Sequence, residues 1–359
     1  MLNFKIFLSD EGYGHIVRQK AILEKLNYLT ENTIKFTLQT HTHLQKAKEI
    51  FGNGNFIDKY NNISWQKLEN GSPDLEKIKK HYKDYDLKSL EFINKEKDLS
   101  QYDFLISDFV YEAFQLGINN KIPSFGVAHF TWDWFFSKLY KPVISSKVMD
   151  LFFEMSGKAK RIYFPPFTPP EIIKSHKNAL QVPLIIRNSN FEKKIISRTC
   201  FNILIVDSGS GLLKNYINNA LSLVKGIDEF KFFVGSGYNS ISENIIPLKN
   251  DELMLDYIEH MDLVIGRAGF NTISECIALR KPMLLIGESF NPEIDQNIKM
   301  IKNEGLASFI ALDKFTFQLD KFLPVFLNNE FKNLEINMNN HSVQTNGAEV
   351  IANDILNNI

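Results

Sequence analysis

The feature that most constrains the fold is a strand, glycine turn and helix that occurs at the start of each half of the chain. The apolar run NFKIFLSD leads into the turn GYGH and the helical pattern GHIVRQKAILEKLNYL. Near the middle of the chain, NILIVD is followed by the turn DSGSG and a second helical pattern. Short β-branched or aromatic runs that alternate with helical periodicity are typical of a parallel sheet with crossover helices. The sequence therefore predicts an α/β protein with two doubly wound domains.

The first helical pattern is amphipathic, since its apolar residues recur on one face from Ile16 to Leu29. Residues 55–100 are rich in Lys, Asn and Asp, and surface helices and loops are expected there. The predicted strands are 3–9, 33–39, 103–107 and 122–128 in the first half, and 202–207, 231–235, 262–266, 282–287 and 307–312 in the second.

A proline-rich segment, YFPPFTPP at 163–170, is predicted to link the two domains. Its prolines fix φ and remove backbone donors, so neither a helix nor a central strand is expected there. A chain of 359 residues is long enough for two domains of ordinary size. We expect an N-terminal domain over 1–165, a C-terminal domain over 171–340, and a last helix within 341–359 that crosses back to the first domain.

Composition argues against nucleic acid, a disulfide framework and a membrane span. Lysine plus arginine, 41 residues, nearly balance aspartate plus glutamate, 42 residues, so the net charge of −1 gives no basic field for nucleic acid. Cys200 and Cys276 are too few for a disulfide framework or a cysteine-based zinc site. No uncharged apolar run approaches the ~20 residues that span a bilayer, and the N-terminus is predicted to be a first strand rather than a signal peptide. We expect a cytoplasmic protein, with any membrane contact peripheral.

Both glycine turns precede a helix, where backbone N–H groups and the positive end of the helix dipole favour an anion. In a doubly wound sheet such ligands bind outside the carboxyl ends of the strands. Neither turn completes G-x-G-x-x-G, because Val17 and Lys214 occupy the last glycine position. Tight turns without a ligand are the alternative. The candidate binding residues are Gly12, Gly14 and Arg18 in the first turn, and Ser208, Gly209, Ser210 and Gly211 in the second.

Two other patterns are set aside. Ser210 does not fit the nucleophile elbow G-x-S-x-G, since Ser208 and Leu212 replace its glycines. The D-x-D at 84–86, a metal-binding pattern in some sugar transferases, lies in the charged segment HYKDYDLKSL rather than at the end of an apolar strand. A solvated surface helix is the favoured interpretation of that segment, and no metal or other cofactor is expected.

His15, beside the first glycine turn, is the leading candidate for a catalytic base. An imidazole, with an ordinary pKa near ~6.5, suits proton abstraction from an acceptor hydroxyl or a water at neutral pH. A hydrogen bond to a phosphate and a helix cap are the alternatives for His15. Asp108 and Asp133, both expected at strand ends along the same edge, are alternative bases.

The stretch DLVIGRAGFNTISECIALRKPMLLIGESFNPEIDQNIKMIKNEGL reads as strand, glycine turn, helix, strand, loop and helix. Its glycine turn is expected to approach a phosphate, and Glu275 is expected to accept both hydroxyls of a ribose. Arg18 and Arg267 are expected to screen diphosphate charge, with an exposed ion pair as the alternative. The donor-site candidates in this stretch are Arg267, Gly269, Asn271, Thr272 and Glu275.

This stretch resembles the nucleotide-sugar signature of GT-B glycosyltransferases of family 28, the MurG-like group. The resemblance covers about 45 residues and departs from the family pattern at Gly287, where Pro is frequent, and at Ile298, where Ala is usual. The family residues that are kept are Arg267, Gly269, Thr272, Glu275 and Pro282, and Asp295, Gln296 and Asn297 stand where the later loop of the family lies.

The N-terminal half is similar to the glycosyltransferase-like domain of arabinokinases and to the UDP-sugar hydrolase of pseudaminic acid synthesis. The longer glycine loop of the MurG-like proteins is not reproduced, so their lipid acceptor is not carried over. The shared turn G-x-G-H-x-x-R is kept as Gly12, Gly14, His15 and Arg18, and the arabinokinase pattern is kept as Ser107-Asp108 and Phe130-Thr131-Trp132-Asp133.

The resemblances imply a GT-B fold, with two domains that face each other across a cleft and a nucleotide held mainly by the second. They imply a glycosyltransferase that moves a sugar from a UDP-linked donor to a glycan, lipid-linked or small-molecule acceptor by metal-independent, inverting displacement. A hydrolase or epimerase of the same nucleotide sugar, or a binding protein without catalysis, are the alternatives. A buried core explains much of the run HFTWDWFFSKLYKPVI, but Trp132, Trp134 and Phe135 are not all expected to face inward on one element. An acceptor groove or a peripheral membrane contact is the alternative for this run.

Overall fold

The computed structural model describes residues 1–11, 14–68, 72–96, 98–187, 200–207, 213–235, 237–238, 242–248, 254–287 and 291–359. The chain divides into two compact units. Unit 1 comprises Met1–Arg187 and Gln344–Ile359, and unit 2 comprises Asn188–Val343.

Short strands alternate with helices in both units. The strands of unit 1 are β1 (Leu2–Leu8), β2 (Ile34–Thr40), β3 (Asn55–Asp58), β4 (Phe104–Asp108), β5 (Ser124–Val127), β6 (Arg161–Phe164) and β7 (Ala179–Gln181). The strands of unit 2 are β8 (Phe201–Val206), β9 (Phe230–Val234), β10 (Ile245–Pro247), β11 (Leu263–Arg267), β12 (Met283–Gly287) and β13 (Ala307–Ala311).

The helices follow the strands along the chain. In the described part of the chain, no helix has the length and apolarity that a crossing of the bilayer requires. The helices are α1 (Gly14–Leu29), α2 (Leu44–Phe51), α3 (Leu75–Tyr82), α4 (Tyr85–Lys95), α5 (Glu112–Asn120), α6 (Trp132–Ser137), α7 (Ser146–Ser156), α8 (Pro170–Ser175), α9 (Lys214–Val224), α10 (Met254–Ile258), α11 (Phe270–Ala278), α12 (Pro292–Glu304), α13 (Leu312–Phe326), α14 (Lys332–Asn340) and α15 (Gly347–Leu356), with a π-helical turn at Leu327–Phe331.

The two units have the same sheet topology. The described strands of unit 1 form a seven-stranded sheet in the order β3-β2-β1-β4-β5-β6-β7, and those of unit 2 form a six-stranded sheet in the order β10-β9-β8-β11-β12-β13. The pairings between these strands are parallel. In each sheet the chain winds outward in both directions from the first strand, which is the doubly wound arrangement. Its switch points lie between β1 and β4 and between β8 and β11, where such sheets bind ligands.

The predicted fold class is confirmed, and each predicted strand is present within about two residues of its expected bounds. Strands β3, β6, β7 and β10 were not predicted from the sequence. They are three or four residues long, too short to show an alternating or continuous apolar pattern. All four lie at or next to a sheet edge, where less apolar surface has to be buried.

The proline-rich segment lies inside unit 1. Tyr163 and Phe164 are the last residues of β6, which pairs with both β5 and β7. The prolines come after this strand, and Pro170 begins α8, where a missing N–H costs no hydrogen bond. The division between the units comes after Arg187, later than the expected boundary at 165–171.

Residues 55–100 contribute to the core of unit 1, although surface helices and loops were expected there. Helix α3 buries Ile78 and Tyr82, and α4 buries Tyr85 and Phe92 in the same aromatic cluster. Their lysines and acids face outward, so composition alone concealed an amphipathic pattern.

The last helix, α15, belongs to unit 1 and closes its core. Ala348, Ile351, Ala352 and Ile355 are buried in the same cluster as apolar residues of α1 and β1. The Gly347 N–H donates to the Leu184 carbonyl at 3.0 Å. A Cβ on Gly347 would lie 2.8 Å from that carbonyl oxygen and would overlap the Pro183 backbone. Only glycine permits this approach.

Gly347→Ala is therefore expected to destabilise the protein, because the added methyl pushes α15 away from residues 183–184. Overpacking of this kind costs about 1–3 kcal/mol or more of unfolding free energy. Urea unfolding measures the loss. Gly287→Ala is the control, since a Cβ there meets no atom closer than 3.8 Å. Equal stability of the two variants would contradict the packing of α15.

Candidate functional site

The first site lies at the switch point of unit 1. Asp108 is the last residue of β4, and its partner in the sheet is Leu8, the last residue of β1. His15 is the second residue of α1, the helix that follows β1. Arg18 and Gln19 are three and four positions further on, so they lie on the same face of α1 as His15. The topology therefore brings three α1 side chains to the carboxylate of Asp108.

Asp108 accepts four hydrogen bonds, and its side chain is fully buried. Oδ1 accepts from His15 Nδ1 at 2.5 Å and from Arg18 Nη2 at 2.5 Å. Oδ2 accepts from Arg18 Nε at 3.1 Å and from Gln19 Nε2 at 2.9 Å. Arg18 itself is only 3% exposed. The two residues form a buried, bidentate ion pair.

The charge of Arg18 keeps Asp108 ionised. Burial alone would raise the pKa of this carboxyl, but the charges of Arg18 and His15 and their hydrogen bonds outweigh burial and hold the pKa well below its usual range. The folded-state pKa lies below the unfolded value of about 3.9, so this stabilisation is fully present above that pH. It is lost as the pH falls through the folded-state pKa.

The hydrogen bond to Asp108 fixes the tautomer of His15. A carboxylate only accepts, so the proton of the neutral imidazole lies on Nδ1. The lone pair then lies on Nε2, as in histidine bases that a carboxylate orients. His15 remains 13% exposed, so its ring is within reach of a substrate.

His129 and Gln19 complete this cluster, and neither was predicted. Arg18 Nη1 donates to His129 Nδ1 at 3.2 Å. Gln19 adjoins Arg18 in the sequence, and His129 begins the aromatic run, but neither position belongs to a recognised motif. Arg18 was expected to screen a diphosphate. In the structure its guanidinium is buried and committed to Asp108, so it is not placed for that role.

Asp133 belongs to a different network. It was expected at a strand end, but it lies in the first turn of α6. Its Oδ1 accepts from the Tyr111 hydroxyl at 3.1 Å, and that hydroxyl accepts from the Trp132 N–H at 2.9 Å. The structure thus brings Asp108 to His15 and gives Asp133 a helix-anchoring contact.

The first part of the aromatic run belongs to the core, although some of its residues were expected to face outward, and Tyr140 near its end is exposed. Trp132, Trp134, Phe135 and Phe136 are all at most 7% exposed. Helix α6 is short, and its four aromatic residues are all buried in the aromatic cluster of unit 1, while Asp133 is half-buried and Ser137 is exposed. The run therefore provides neither an open groove nor a membrane-facing surface through these four residues.

Glu11 is a second acid near His15 that the sequence did not reveal. Its Oε1 accepts from the Trp65 N–H at 2.8 Å and from Ser64 Oγ at 3.3 Å, and Lys67 Nζ lies 3.8 Å from Oε2. Burial raises the pKa of Glu11, and the charges of Lys67 and His15 oppose that effect. Polar groups therefore surround His15 on this side.

The second site lies at the switch point of unit 2. Gly266 of β11 pairs with Val206, the last residue of β8, and a Cβ on Gly266 would lie 2.8 Å from the Val206 carbonyl. Arg267 ends β11, and Gly269 precedes the first turn of α11, which carries Thr272. Asn271 and Thr272 are partly exposed in this first turn. The N–H groups of a first helical turn have no acceptor within the helix and attract anions.

Glu275 lies one turn further along α11 and is 7% exposed. Its neighbour Cys276 is fully buried; burial raises the pKa of that thiol, and the charge of Glu275 adds to the effect. Glu275 is therefore a largely buried acid one turn into α11, and its binding of a ribose stays a prediction.

The later predicted binding residues lie in a helix, not in a loop. Asp295, Gln296 and Asn297 belong to α12, whose first turn is capped by the Asn291 side chain. Asn297 Nδ2 donates to the Ala268 carbonyl at 2.9 Å and so braces the turn before α11. Asp295 is exposed and Gln296 is partly exposed.

Several predicted residues lie outside the described part of the chain. These are Gly12 in the first turn and Ser208, Gly209, Ser210 and Gly211 in the second. Gly14 is described and begins α1. Among the described residues, no group of three or more His, Cys, Asp and Glu side chains is arranged to hold a metal ion.

Comparison with known proteins identifies the second half of the chain. Residues 203–355 match the family model described as the glycosyltransferase family 28 C-terminal domain. An L-arabinokinase of Arabidopsis thaliana is 24% identical over 206 residues, which cover 53% of this chain and 19% of that protein. The UDP-N-acetylglucosamine--N-acetylmuramyl-(pentapeptide) pyrophosphoryl-undecaprenol N-acetylglucosamine transferase of Clostridioides difficile is 30% identical over 156 residues, 38% of this chain and 37% of that protein. The chain thus spans less than half the length of these two relatives.

Solved structures match nearly the whole chain. UGT2 of Phytolacca americana, complexed with UDP-2fluoro-glucose and pterostilbene, has a TM-score of 0.68 at 11% identity and covers 100% of this chain and 99% of its own. MurG of Acinetobacter baumannii has a TM-score of 0.60 at 14% identity, with 100% of both chains covered. The spinosyn rhamnosyltransferase SpnG, complexed with thymidine diphosphate, has a TM-score of 0.67 at 10% identity and covers 99% of this chain and 100% of its own.

The chain has the GT-B fold, and its residues 203–355 match the C-terminal domain of glycosyltransferase family 28. The predicted family resemblance is confirmed, as is the similarity to arabinokinases. The family 28 match runs on into α15, which lies in unit 1 of this GT-B protein.

The buried ion pair makes a prediction for stability. Asp108→Ala is expected to cost about 3–5 kcal/mol of unfolding free energy, because it leaves the Arg18 guanidinium buried without its counter-ion. The control is Asp86→Ala, which removes an exposed pair with Lys147 and is expected to change stability little. Urea unfolding at neutral pH measures both variants. Losses of the same size would show that Asp108 is not enclosed as described.

Proposed function

We propose that this GT-B protein transfers a sugar from a UDP-linked donor to an acceptor hydroxyl, without a metal and with inversion at the anomeric carbon. The observation that carries the proposal is the hydrogen bond from His15 Nδ1 to the buried Asp108 at a switch point. It leaves Nε2 as the proton-accepting atom at the edge where doubly wound sheets bind ligands.

The proposed reaction uses this geometry. His15 Nε2 removes the proton of the acceptor hydroxyl as its oxygen attacks the anomeric carbon of the donor. The bond from that carbon to the diphosphate breaks, and the nucleoside diphosphate leaves with the bonding electrons. Asp108 stabilises the imidazolium that forms. A single displacement of this kind inverts the anomeric centre.

Unit 2 is proposed to bind the donor. The first turn of α11 offers backbone N–H groups and the positive end of its dipole to the diphosphate, and Arg267 adds a positive charge at the end of β11. Glu275 is proposed to accept the ribose hydroxyls. The Clostridioides difficile relative is named for a UDP-N-acetylglucosamine substrate, and the UGT2 structure holds a UDP-sugar, which together favour uridine.

The acceptor is proposed to be polar where it meets His15. Glu11 and Lys67 form a charged pair on that side, and the neighbouring tryptophans are buried. A glycan, the headgroup of a lipid-linked acceptor, or a small hydroxylated molecule would each present suitable groups. The four aromatic residues of α6 are buried, so they do not form the surface through which a lipid-linked acceptor would reach the membrane.

A thermal-shift panel of UDP, thymidine diphosphate, GDP, ADP and their common sugar conjugates tests the donor class. A ligand that binds only the folded state stabilises it by about 2.7 kcal/mol at 100 times its Kd. We expect UDP and at least one UDP-sugar to raise the melting temperature most. A larger shift with thymidine diphosphate, the ligand of the SpnG structure, would replace uridine with thymidine as the proposed nucleoside of the donor. No shift with any nucleotide would overturn the donor site.

Changes in the two units are expected to affect different steps. His15→Ala should lower kcat by about 10² to 10⁴ and leave UDP affinity near wild type. Glu275→Gln should weaken UDP affinity about ten-fold to a hundred-fold, because an amide group replaces one accepting oxygen. Thr272→Val should raise the donor KM by removing a hydroxyl near the diphosphate. Calorimetry with UDP and steady-state release of UDP measure these effects, and the reverse pattern would mean that the roles of the units are interchanged.

The same base would also activate water, so hydrolysis of the donor is the second candidate. Release of free sugar at the rate of UDP release, with no acceptor present and with loss of that release in His15→Ala, would establish a hydrolase. UDP release that requires an added acceptor supports transfer. If UDP binds but His15→Ala changes no turnover, neither reaction uses the proposed base.

A further inference from the structure

We propose that Arg18 is a positioning residue: its guanidinium holds the Asp108 carboxylate toward His15 and offsets the effect of the carboxylate charge on the imidazole. The consequence for catalysis rests on the proposed function. The charge compensation itself does not, because it is a property of the free protein.

The distances carry the first step. His15 Nδ1 lies 2.5 Å from Asp108 Oδ1 and 3.1 Å from Arg18 Nη2. His15 Nδ1 and Arg18 Nη2 both donate a hydrogen bond to Asp108 Oδ1. Because two donors do not form a hydrogen bond with each other, His15 and Arg18 are linked only through this shared carboxylate oxygen. An unscreened carboxylate at this distance would favour the imidazolium strongly, and a guanidinium at a similar distance opposes it. The two charges act on the His15 ring in opposite directions.

Burial makes the compensation effective. Asp108 is 0% and Arg18 3% exposed, so little water screens either charge from the ring. Among the described residues, the other charged or titratable groups on this side are Glu11 after β1, its partner Lys67, and His43 before α2, while His129 contacts Arg18. Arg18 is the cation that lies against both Asp108 and the His15 ring.

The guanidinium also fixes the direction of the carboxylate. Its Nε and Nη2 hold both oxygens of Asp108, and its Nη1 donates to His129. This planar grip leaves Oδ1 aimed at His15 Nδ1. A lysine supplies the positive charge but not the two parallel N–H groups of the guanidinium. The variant Arg18→Lys therefore separates compensation of the Asp108 charge from orientation of the Asp108 carboxylate.

The test is an NMR titration of histidine-labelled full-length protein without ligand, with the His15 signal assigned from His15→Gln. In Arg18→Gln, the His15 imidazole should titrate about one pH unit or more above wild type, because Asp108 is no longer compensated. Arg18→Lys should titrate close to wild type. Asp108→Asn should titrate lower, and the double variant Arg18→Gln with Asp108→Asn should fall between the two single variants.

Circular dichroism shows whether each variant folds. A folded Arg18→Gln that titrates like wild type, or lower, would overturn the proposal. If Arg18→Gln does not fold, the test is the comparison between Asp108→Asn and the double variant Arg18→Gln with Asp108→Asn. His15 must titrate at a higher pH in the double variant, and an equal or lower titration pH would overturn the proposal. A purely structural role for Arg18 predicts broadened signals without this ordered shift.

The rate profile connects the titration to catalysis. With the donor found in the nucleotide panel, the acid limb of kcat/KM should move to higher pH in Arg18→Gln by the same amount as the His15 titration. Activity lost at neutral pH should therefore return at alkaline pH. If the NMR titrations shift in the expected order but the rate profile does not move, Arg18 still compensates the charge of Asp108, but His15 is not the catalytic base. An absent NMR shift would instead remove the role of Arg18.

Discussion

The arrangement at the unit 1 switch point depends on one buried carboxylate. Burial of Asp108 without partners would be costly, and its four hydrogen-bond donors come from three residues on one face of α1, His15, Arg18 and Gln19. The carboxylate therefore locks the start of α1 against the end of β4. It also sets which nitrogen of His15 carries the proton. The same hydrogen bonds hold α1 against β4 and fix the tautomer of His15. A substitution of Asp108 is therefore expected to change both the stability of the fold and the proton-accepting atom of His15.

The topology explains why these residues meet although they are about ninety positions apart. In a sheet wound outward in both directions, the first and fourth strands are neighbours and their carboxyl ends leave an opening. Unit 2 repeats the plan with β8 and β11, where Gly266 allows the close approach of Val206. The duplicated topology gives each unit one switch point, and the local residues differ: a buried acid and a histidine in unit 1, a glycine turn and an arginine in unit 2.

The sequence predicted much of this fold and part of the site. Long apolar strands and the helical face of α1 carry a periodic signal, so fold class and nearly all central strands could be predicted. His15 and Asp108 were predicted singly, but their contact depends on the order of strands in the sheet, which periodicity does not give. The buried state of Arg18 was missed for the same reason, because an arginine beside a glycine turn looks like an anion ligand until its partner is known.

Other differences have local physical causes. Trp132, Trp134 and Phe135 were not all expected to face inward, but all three are buried, because the aromatic cluster of unit 1 packs around more than one face of the short helix α6. Asn297 was predicted to bind a nucleotide, and the sequence did not show that its amide holds the turn before α11 through the Ala268 carbonyl. In both cases the neighbours that decide the role come from elements distant in sequence.

The tautomer of His15 is the most direct measurement, because the chemistry of the site depends on which nitrogen is free. Nitrogen-15 chemical shifts of the neutral imidazole distinguish the two forms in the unliganded protein. The structure predicts the Nδ1–H form, with Nε2 unprotonated. It predicts a mixture of the two forms in Asp108→Ala, which lacks the carboxylate that accepts the Nδ1–H hydrogen bond. A neutral His15 that is protonated on Nε2 in the wild-type protein would contradict the Asp108 contact and with it the proposed base.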